Sequence, residues 1–145
     1  MKLIDANLLL YAHSSSSPHH QQARVWLEDV FSKPEPVRLA WMTILAFLRI
    51  STDSRSYKHP FSTKEAMDIV SDWLTRPNVE VLEPGERHLL ILGKLLSAAH
   101  ARGAVVMDAH LAALAIEHGA VVCTNDKDFS RFPGLRVLNP IEETN

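Results

Sequence analysis

The sequence contains very little cysteine, no long apolar run and no excess of positive charge. The only cysteine, Cys123, cannot form a disulfide within the chain, which indicates a reducing, cytoplasmic setting. No apolar run approaches the roughly 18 residues that a membrane-spanning helix needs, so we expect no membrane association. Asp5 and Asn7 interrupt the apolar N-terminal stretch, which argues against a signal peptide.

The charge balance excludes one simple way of recognising nucleic acid. The formal net charge of −2 leaves no overall basic field, so nucleic-acid binding would need a local basic patch. Hydrophobic residues make up 46% of the chain and charged residues 22%, which is typical of a folded globular protein. The length of 145 residues predicts a single domain over residues 1–145.

Short apolar runs alternate with helical segments along the chain. The runs are KLI, VRLAW, NVEVL, AVVM, AVVCT and LRVLN. This alternation predicts an α/β fold in which helices cover both faces of a parallel sheet. Two helix starts are predicted, one at Ser17–Pro18 and one at Ser62 with a capping box to Glu65. We expect the helix in PGERHLLILGKLLSAAHAR to end at Gly103 and to bury Leu89, Leu92, Leu96 and Ala99.

Aspartates follow three of the apolar runs. Asp5 follows KLI, Asp108 follows VVM, and Asp126 follows VVCTN with Asp128 two residues later. The carboxyl ends of parallel strands meet at one edge of a sheet, where such folds bind ligands, so we expect these carboxylates to lie together. Carboxylates that are close together repel unless one is protonated or a cation neutralises them. Their hard oxygen atoms suit Mg²⁺ or Mn²⁺.

Each of these residues also has a simpler interpretation. Asp5 or Asp108 alone could be a helix cap, and TNDKDF alone could be a polar turn. The recurrence of the pattern in one small chain favours a common acidic site over capping alone. We expect Asn7 and Thr124 to support that site by hydrogen bonds, although either could equally be a local cap.

Four segments resemble PIN-domain proteins, specifically the VapC toxins of bacterial toxin–antitoxin pairs. They are LIDANLLLYAH, LAFLRISTDSR, VVMDAHLAALAIEHGA and VVCTNDKDFSRFPGL. The resemblance implies a three-layer α/β/α PIN-like fold and a Mg²⁺-dependent ribonuclease, with Mn²⁺ able to substitute. Asp5, Asp108 and Asp126 match acidic positions of the family that are catalytic and bind metal, and Asp128 is an additional metal candidate. The resemblance also implies a homodimer and a small VapB-type antitoxin.

One position departs from the family pattern. Many PIN domains carry a glutamate in the helix after the second strand, where this chain has Ala46 in TILAFLRI. The number of bound metals, one or two, is therefore open. A catalytically weakened PIN module that binds RNA or antitoxin without cleavage is one alternative. A metal-dependent phosphatase is another, but that class uses Asp-x-Asp after its first strand, and here the third residue is Asn7.

Cleavage of RNA would also need positive charge beside the acidic site. In the expected mechanism a metal-activated water attacks the RNA phosphate in line. Candidate RNA-binding residues are Arg49, Arg55, Lys58, Lys127 and Arg131, with Tyr57 able to stack on a base. The segment around residues 55–59 could equally be a solvated loop. Arg49 lies in an apolar helical segment, which predicts a buried or cleft-facing guanidinium with an anionic partner.

Overall fold

A five-stranded parallel sheet forms the centre of the protein. The structure, a computed structural model, describes residues 1–141, so the last four residues of the predicted domain lie outside the described part. The strands are β1 (Lys2–Ile4), β2 (Val37–Ala40), β3 (Val79–Leu82), β4 (Val121–Cys123) and β5 (Val137–Leu138). Their order across the sheet is β3-β2-β1-β4-β5, and each neighbouring pair is parallel.

Helices cover both faces of the sheet. They are α1 (Ala6–His13), α2 (His20–Ser32), α3 (Trp41–Ser51), α4 (Thr63–Thr75), α5 (His88–Ala98) and α6 (Val105–His118), with a short 3₁₀ helix at Lys127–Arg131. Successive strand residues point to opposite faces: Ile4 packs with residues of α1–α4, whereas Leu3 packs with residues of α5 and α6. This arrangement confirms the predicted three-layer α/β/α fold.

The predicted capping box is present, but two other predicted helix boundaries are wrong. Ser62 Oγ accepts a hydrogen bond from Glu65 N, and Glu65 accepts one from Ser62 N. Helix α2 begins at His20, and Ser17 instead accepts a hydrogen bond from the backbone of His19 in a turn before the helix. Helix α5 ends at Ala98, and Gly103, with φ +58°, lies in the turn that leads into α6.

The predicted buried face of α5 is also wrong in part. The buried residues are His88, Ile91 and Leu95, whereas Leu89 is 79% exposed. This helix is apolar around most of its circumference, so leucine spacing does not identify the face that packs inward. No helix among residues 1–141 combines the length and apolar character needed to cross a membrane.

Candidate active site

Asp5 lies at the point where the central strand β1 passes into α1. Its backbone N–H donates to the carbonyl of Cys123 in β4, at 2.9 Å, which fixes it at the carboxyl edge of the sheet. Asp5 Oδ1 accepts a hydrogen bond from Ala6 N at 2.8 Å, and Oδ2 accepts one from Thr124 Oγ1 at 2.8 Å. Asp5 is therefore both the N-cap of α1 and a member of a polar cluster at this edge.

Thr124 joins the two chain segments that carry the acidic side chains. It follows β4 and is only 1% exposed. While its hydroxyl donates to Asp5, the same oxygen accepts from Asn7 Nδ2 at 3.1 Å and from Asp126 N at 3.0 Å. Both residues that the sequence selected as supports thus contact the acidic segment, and they hold Asp5 and Asp126 in register.

Asp126 and Asp128 belong to the segment that follows β4. Asp126 caps the 3₁₀ helix, because its Oδ1 accepts from Asp128 N at 2.9 Å. Asp128 is exposed and pairs with Arg131, whose Nη2 lies 3.3 Å from Asp128 Oδ1. The carboxylate of Asp128 is therefore already engaged with a cation, whereas Asp126 lies partly buried beside Thr124.

Asp108 reaches the acidic site from a helix and not from a strand. Residues 105–107, the VVM run, form the start of α6, so the expectation that Asp108 follows a strand is wrong. It lies in the first turn of α6, where the helix dipole favours an anion. Within residues 1–141 no hydrogen bond or ion pair holds its carboxylate, in contrast to that of Asp5.

The pKa values show that the acidic side chains act on one another. Burial, followed by the charges of Asp126, Asp5 and Asp128, raises the pKa of Asp108 to about 6, against a smaller opposing effect of Arg131. Burial also raises the pKa of Asp5, with a further contribution from Asp126, although hydrogen bonds from Thr124 and Ala6 oppose the rise. Coupled, perturbed carboxylates of this kind are common at functional sites.

The donor atoms fit a hard divalent cation that keeps much of its water. Within residues 1–141, no three acidic, histidine or cysteine side chains are grouped closely enough to enclose a metal ion. Mg²⁺ does not need such a cage, since it commonly binds through one or two carboxylates and retains several waters. The carboxylate of Asp108, unpaired within the described part of the chain, and its raised pKa match a site whose negative charge a cation would relieve.

Two asparagines extend the polar cluster beyond the residues selected from the sequence. Asn125 donates from its backbone to Asn7 Oδ1 at 3.3 Å and from Nδ2 to the Tyr11 hydroxyl at 3.3 Å. Asn139 Nδ2 donates to Asn125 Oδ1 at 3.0 Å. Asn139 directly follows β5, so the strand-end rule that selected Asp5 would have found it. An open depression of about 470 Å³ lies here, between Asp126 and Asn139.

The candidate RNA-binding residues are divided between two places. Lys127 and Arg131 lie on the 3₁₀ helix beside the acidic residues. Arg49, in the last turn of α3, is exposed, so of the expected buried or cleft-facing guanidinium the buried alternative is wrong. Arg55 is 90% exposed and pairs with Asp53, with 2.9 Å between Nη2 and Oδ2. Lys58 lines a different cleft, which lies between the end of α1, the end of α3 and the loop of residues 52–61.

Ala46, at the position where many PIN domains carry a glutamate, lies partly buried on α3.

The chain is similar in sequence to a known protein family and to named proteins. The PIN domain family matches residues 2–135. The chain is 40% identical to Ribonuclease VapC37 of Mycobacterium tuberculosis, over 97% of both proteins. It is 37% identical to Ribonuclease VapC33 of the same species, over 99% of this chain and 100% of that protein.

A solved structure shares the fold at low sequence identity. It is VapBC2 from Rickettsia felis bound to a DNA fragment from its promoter, with a TM-score of 0.67 and 18% identity. The match covers 95% of this chain and 97% of the other. At this identity, the likeness concerns the fold alone.

Proposed function

The chain belongs to the PIN domain family, and from this premise we propose that it is the toxin of a type II toxin–antitoxin pair, a ribonuclease of the VapC kind. Its full-length similarity to two VapC ribonucleases supports the reaction class. The observation that carries the proposal is the convergence of Asp5, Asp108 and Asp126 from three separate segments: together with burial, which has the larger effect, the charges of Asp126 and Asp5 raise the pKa of Asp108 to about 6.

The proposed catalytic and metal-binding residues are Asp5, Asp108 and Asp126, with Asp128 in a lesser role. Mg²⁺, or Mn²⁺ in its place, would bind through one or two of these carboxylates, keep several waters, and supply a more acidic water and neutralisation of phosphate charge. Thr124 and the backbone of Ala6 orient Asp5 through both of its oxygens. Asp108, which no hydrogen bond within residues 1–141 holds, can turn toward a cation or accept a proton from the attacking water.

The proposed partners follow from the family and from the charge distribution. The substrate is RNA, whose phosphates Lys127 and Arg131 would meet beside the acidic residues. Arg49, Arg55 and Lys58 would bind RNA further from the scissile bond. A VapB-type antitoxin and a second copy of the chain complete the proposed assembly, and the proposed location is the cytoplasm.

The test is cleavage of total bacterial RNA by the purified, antitoxin-free protein, with Mg²⁺ and with EDTA in its place. We expect discrete products with Mg²⁺ and none with EDTA, and we expect the cognate antitoxin to suppress cleavage. An Asp108→Asn protein run beside the wild type excludes a contaminating nuclease. Identical products from both proteins would contradict the proposal.

Ala46 favours a second candidate function, a PIN module that binds RNA without cutting it. A glutamate is common at this position in the family, and its absence leaves the site with one carboxylate fewer. A folded protein that binds RNA in a mobility-shift assay, yet releases no products with Mg²⁺ or Mn²⁺, would support this alternative over the nuclease.

A further inference from the structure

Strand β5 brings an uncharged polar residue, Asn139, to the edge of the sheet that carries the acidic residues. This strand has only two residues and pairs with β4 at the border of the sheet. The match to the PIN domain family ends at residue 135, so Asn139 lies outside the region that the family model covers. Asn139 is half-buried and lines the open depression at this edge together with Thr124 and Asp126. It is therefore placed to act on the acidic site.

The side-chain amide of Asn139 is held in one orientation. Its Oδ1 accepts a hydrogen bond from Ile141 N at 3.0 Å. Because a backbone N–H can only donate, this bond turns Oδ1 toward Ile141 and leaves Nδ2 to face another partner. Ile141 is buried in the core with residues of α1–α4, and the ring of Pro140 fixes its own φ. The turn that carries Asn139 is thus anchored before it contacts the acidic segment.

Asn139 continues the pairing of β4 and β5 with a bond between side chains. Thr124 N donates to Leu138 O at 3.0 Å along the backbone of the two segments. One residue further along each segment, Asn139 Nδ2 donates to Asn125 Oδ1, also at 3.0 Å. Asn125 directly precedes Asp126, so this bond ties the segment that carries Asp126 to the end of β5.

Asn125 is held from the other side by α1. Its backbone N donates to Asn7 Oδ1 at 3.3 Å, and its Nδ2 donates to the Tyr11 hydroxyl at 3.3 Å. The bond from Asn139 is shorter than either of these. Without Asn139, the contacts of Asn125 that remain within residues 1–141 all come from α1. The acidic segment would then lose its attachment on the β5 side.

We propose that Asn139 is a positioning residue of the acidic site: through Asn125 it fixes the segment that carries Asp126, and thereby strengthens the binding of a divalent cation. The proposal rests on the metal-dependent function proposed above. Asp126 N donates to Thr124 Oγ1 at 3.0 Å, and Asp126 Oδ1 accepts from Asp128 N at 2.9 Å, so a shift of the segment moves the carboxylate with it. A carboxylate whose backbone is already ordered loses less conformational entropy when it binds a cation.

The test measures binding of Mn²⁺ alone, without RNA, by electron paramagnetic resonance of the free ion at a temperature where every variant is folded. We expect Asn139→Ala to weaken Mn²⁺ binding about tenfold, the lower end of the range for groups that orient metal ligands. In RNA cleavage, the Mg²⁺ concentration that gives half the maximal rate should rise by the same factor. The rate at saturating Mg²⁺ should stay within about threefold of wild type, because the chemical step itself does not use Asn139.

Asn78→Ala is the matched control for a loss of stability. Asn78 precedes β3, and its Nδ2 donates to three backbone carbonyls at the opposite edge of the sheet, at 2.9–3.1 Å. The control removes the same kind of side-chain amide and should lower the free energy of unfolding at least as much as Asn139→Ala does. It should leave Mn²⁺ binding within about twofold of wild type. Ser62→Ala, which removes the capping box of α4, provides a milder loss of stability for the same comparison.

Two results of this comparison would overturn the proposal. One is wild-type affinity for Mn²⁺ in the Asn139→Ala protein. The other is an equal loss of affinity in the Asn139→Ala and Asn78→Ala proteins, since that would assign the effect to stability in general and not to the position of the acidic segment.

A double substitution tests whether Asn139 acts through Asn125. Asn125→Ala alone should weaken Mn²⁺ binding at least as much as Asn139→Ala. Adding Asn139→Ala to the Asn125→Ala protein should then change the affinity by no more than about twofold, because the contact between the two side chains is already gone. A further tenfold loss in that background would show that Asn139 reaches the cation by itself, and it would overturn the positioning role.

The remaining outcomes distinguish this proposal from the function on which it rests. A protein that binds Mn²⁺ more weakly after Asn139→Ala, but cuts no RNA, keeps the positioning role and loses the ribonuclease function. A protein that cuts RNA with the same Mg²⁺ dependence before and after Asn139→Ala keeps the ribonuclease function and loses the positioning role. A wild-type protein that binds no Mn²⁺ loses both the metal-dependent function and the positioning role.

Discussion

Replacing Asp108 with asparagine should stabilise the metal-free protein while it removes activity. The pKa of Asp108 is raised from 3.8 to about 6 in the folded protein, because burial and three neighbouring aspartates disfavour its charge. The folded state therefore holds this proton more tightly than the unfolded state does. The stability that comes from the protonated form is present below the unfolded value and is lost as the pH rises through about 6.

The size of the effect follows from that difference in pKa. A shift from 3.8 to about 6 corresponds to about 3 kcal/mol at ~1.36 kcal/mol per pH unit. Solvent reaches part of the Asp108 side chain, and screening reduces the expected cost of its charge to about 1–2 kcal/mol. Asparagine has nearly the same shape and no charge, so Asp108→Asn should raise Tm by about 3–6 °C at neutral pH.

The assay is thermal unfolding followed by circular dichroism in EDTA, at about pH 7.5 and about pH 4.5. We expect the full gain from Asp108→Asn at the higher pH and a clearly smaller gain at the lower, where Asp108 is mostly protonated in the folded protein but still mostly ionised in the unfolded chain. Asp68→Asn is the control: it makes the same change at an exposed carboxylate that pairs with Lys64 at 2.7 Å, and it should leave Tm equal or slightly lower. A variant at position 108 that is no more stable than wild type at pH near 7.5, or is equally stabilised at both values, would refute this reasoning.

Three further substitutions test how the site and its supporting elements are held. Thr124→Val removes the buried hydroxyl that links Asp5 to the backbone of Asp126, and it should lower the free energy of unfolding by about 1–3 kcal/mol in urea titrations and reduce cleavage. Ser62→Ala removes the capping box of α4 and should cost about 1 kcal/mol in the same titration, with cleavage unchanged. Gly119→Ala places a side chain at φ +71° and should cost about 1 kcal/mol, seen as a lower Tm.

The sequence was sufficient to locate the residues that follow the strands at one edge of the sheet, because the ends of parallel strands follow a simple geometric rule. Parallel strands end at one edge, so Asp5 after β1 and Asp126 just beyond β4 had to lie at that edge once the sheet was predicted. Asp128 was expected with them: its charge acts on Asp108, but its side chain is exposed and pairs with Arg131. Proximity along the chain therefore identified the segment but not the direction of each side chain.

The position of Asp108 shows where a local sequence pattern does not distinguish a strand from a helix. A run of three apolar residues before it fits a buried strand or the first turn of a buried helix equally well. The tertiary fold makes this run helical, because β2 and β4 already pair with both sides of β1 and the run continues into α6. Helix α6 still places Asp108 where the charges of Asp126 and Asp5 act on its carboxylate.

The surroundings of Arg49 could not be predicted from the sequence. The apolar neighbours of Arg49 predict a buried or cleft-facing guanidinium, but the residue lies on the exposed side of α3. Exposure of one helix face depends on tertiary packing, which residue spacing alone does not specify.

The most direct test of the account compares RNA cleavage by the wild type with cleavage by Asp5→Asn, Asp108→Asn and Asp126→Asn, each confirmed to be folded. Asp68→Asn serves as the matched change of charge outside the site. With Mg²⁺ present, we predict that each of the three site variants loses at least about a hundredfold in cleavage rate and that Asp68→Asn cuts at the wild-type rate. Undiminished cleavage by any one of the three would contradict the assignment of the acidic edge as the active site.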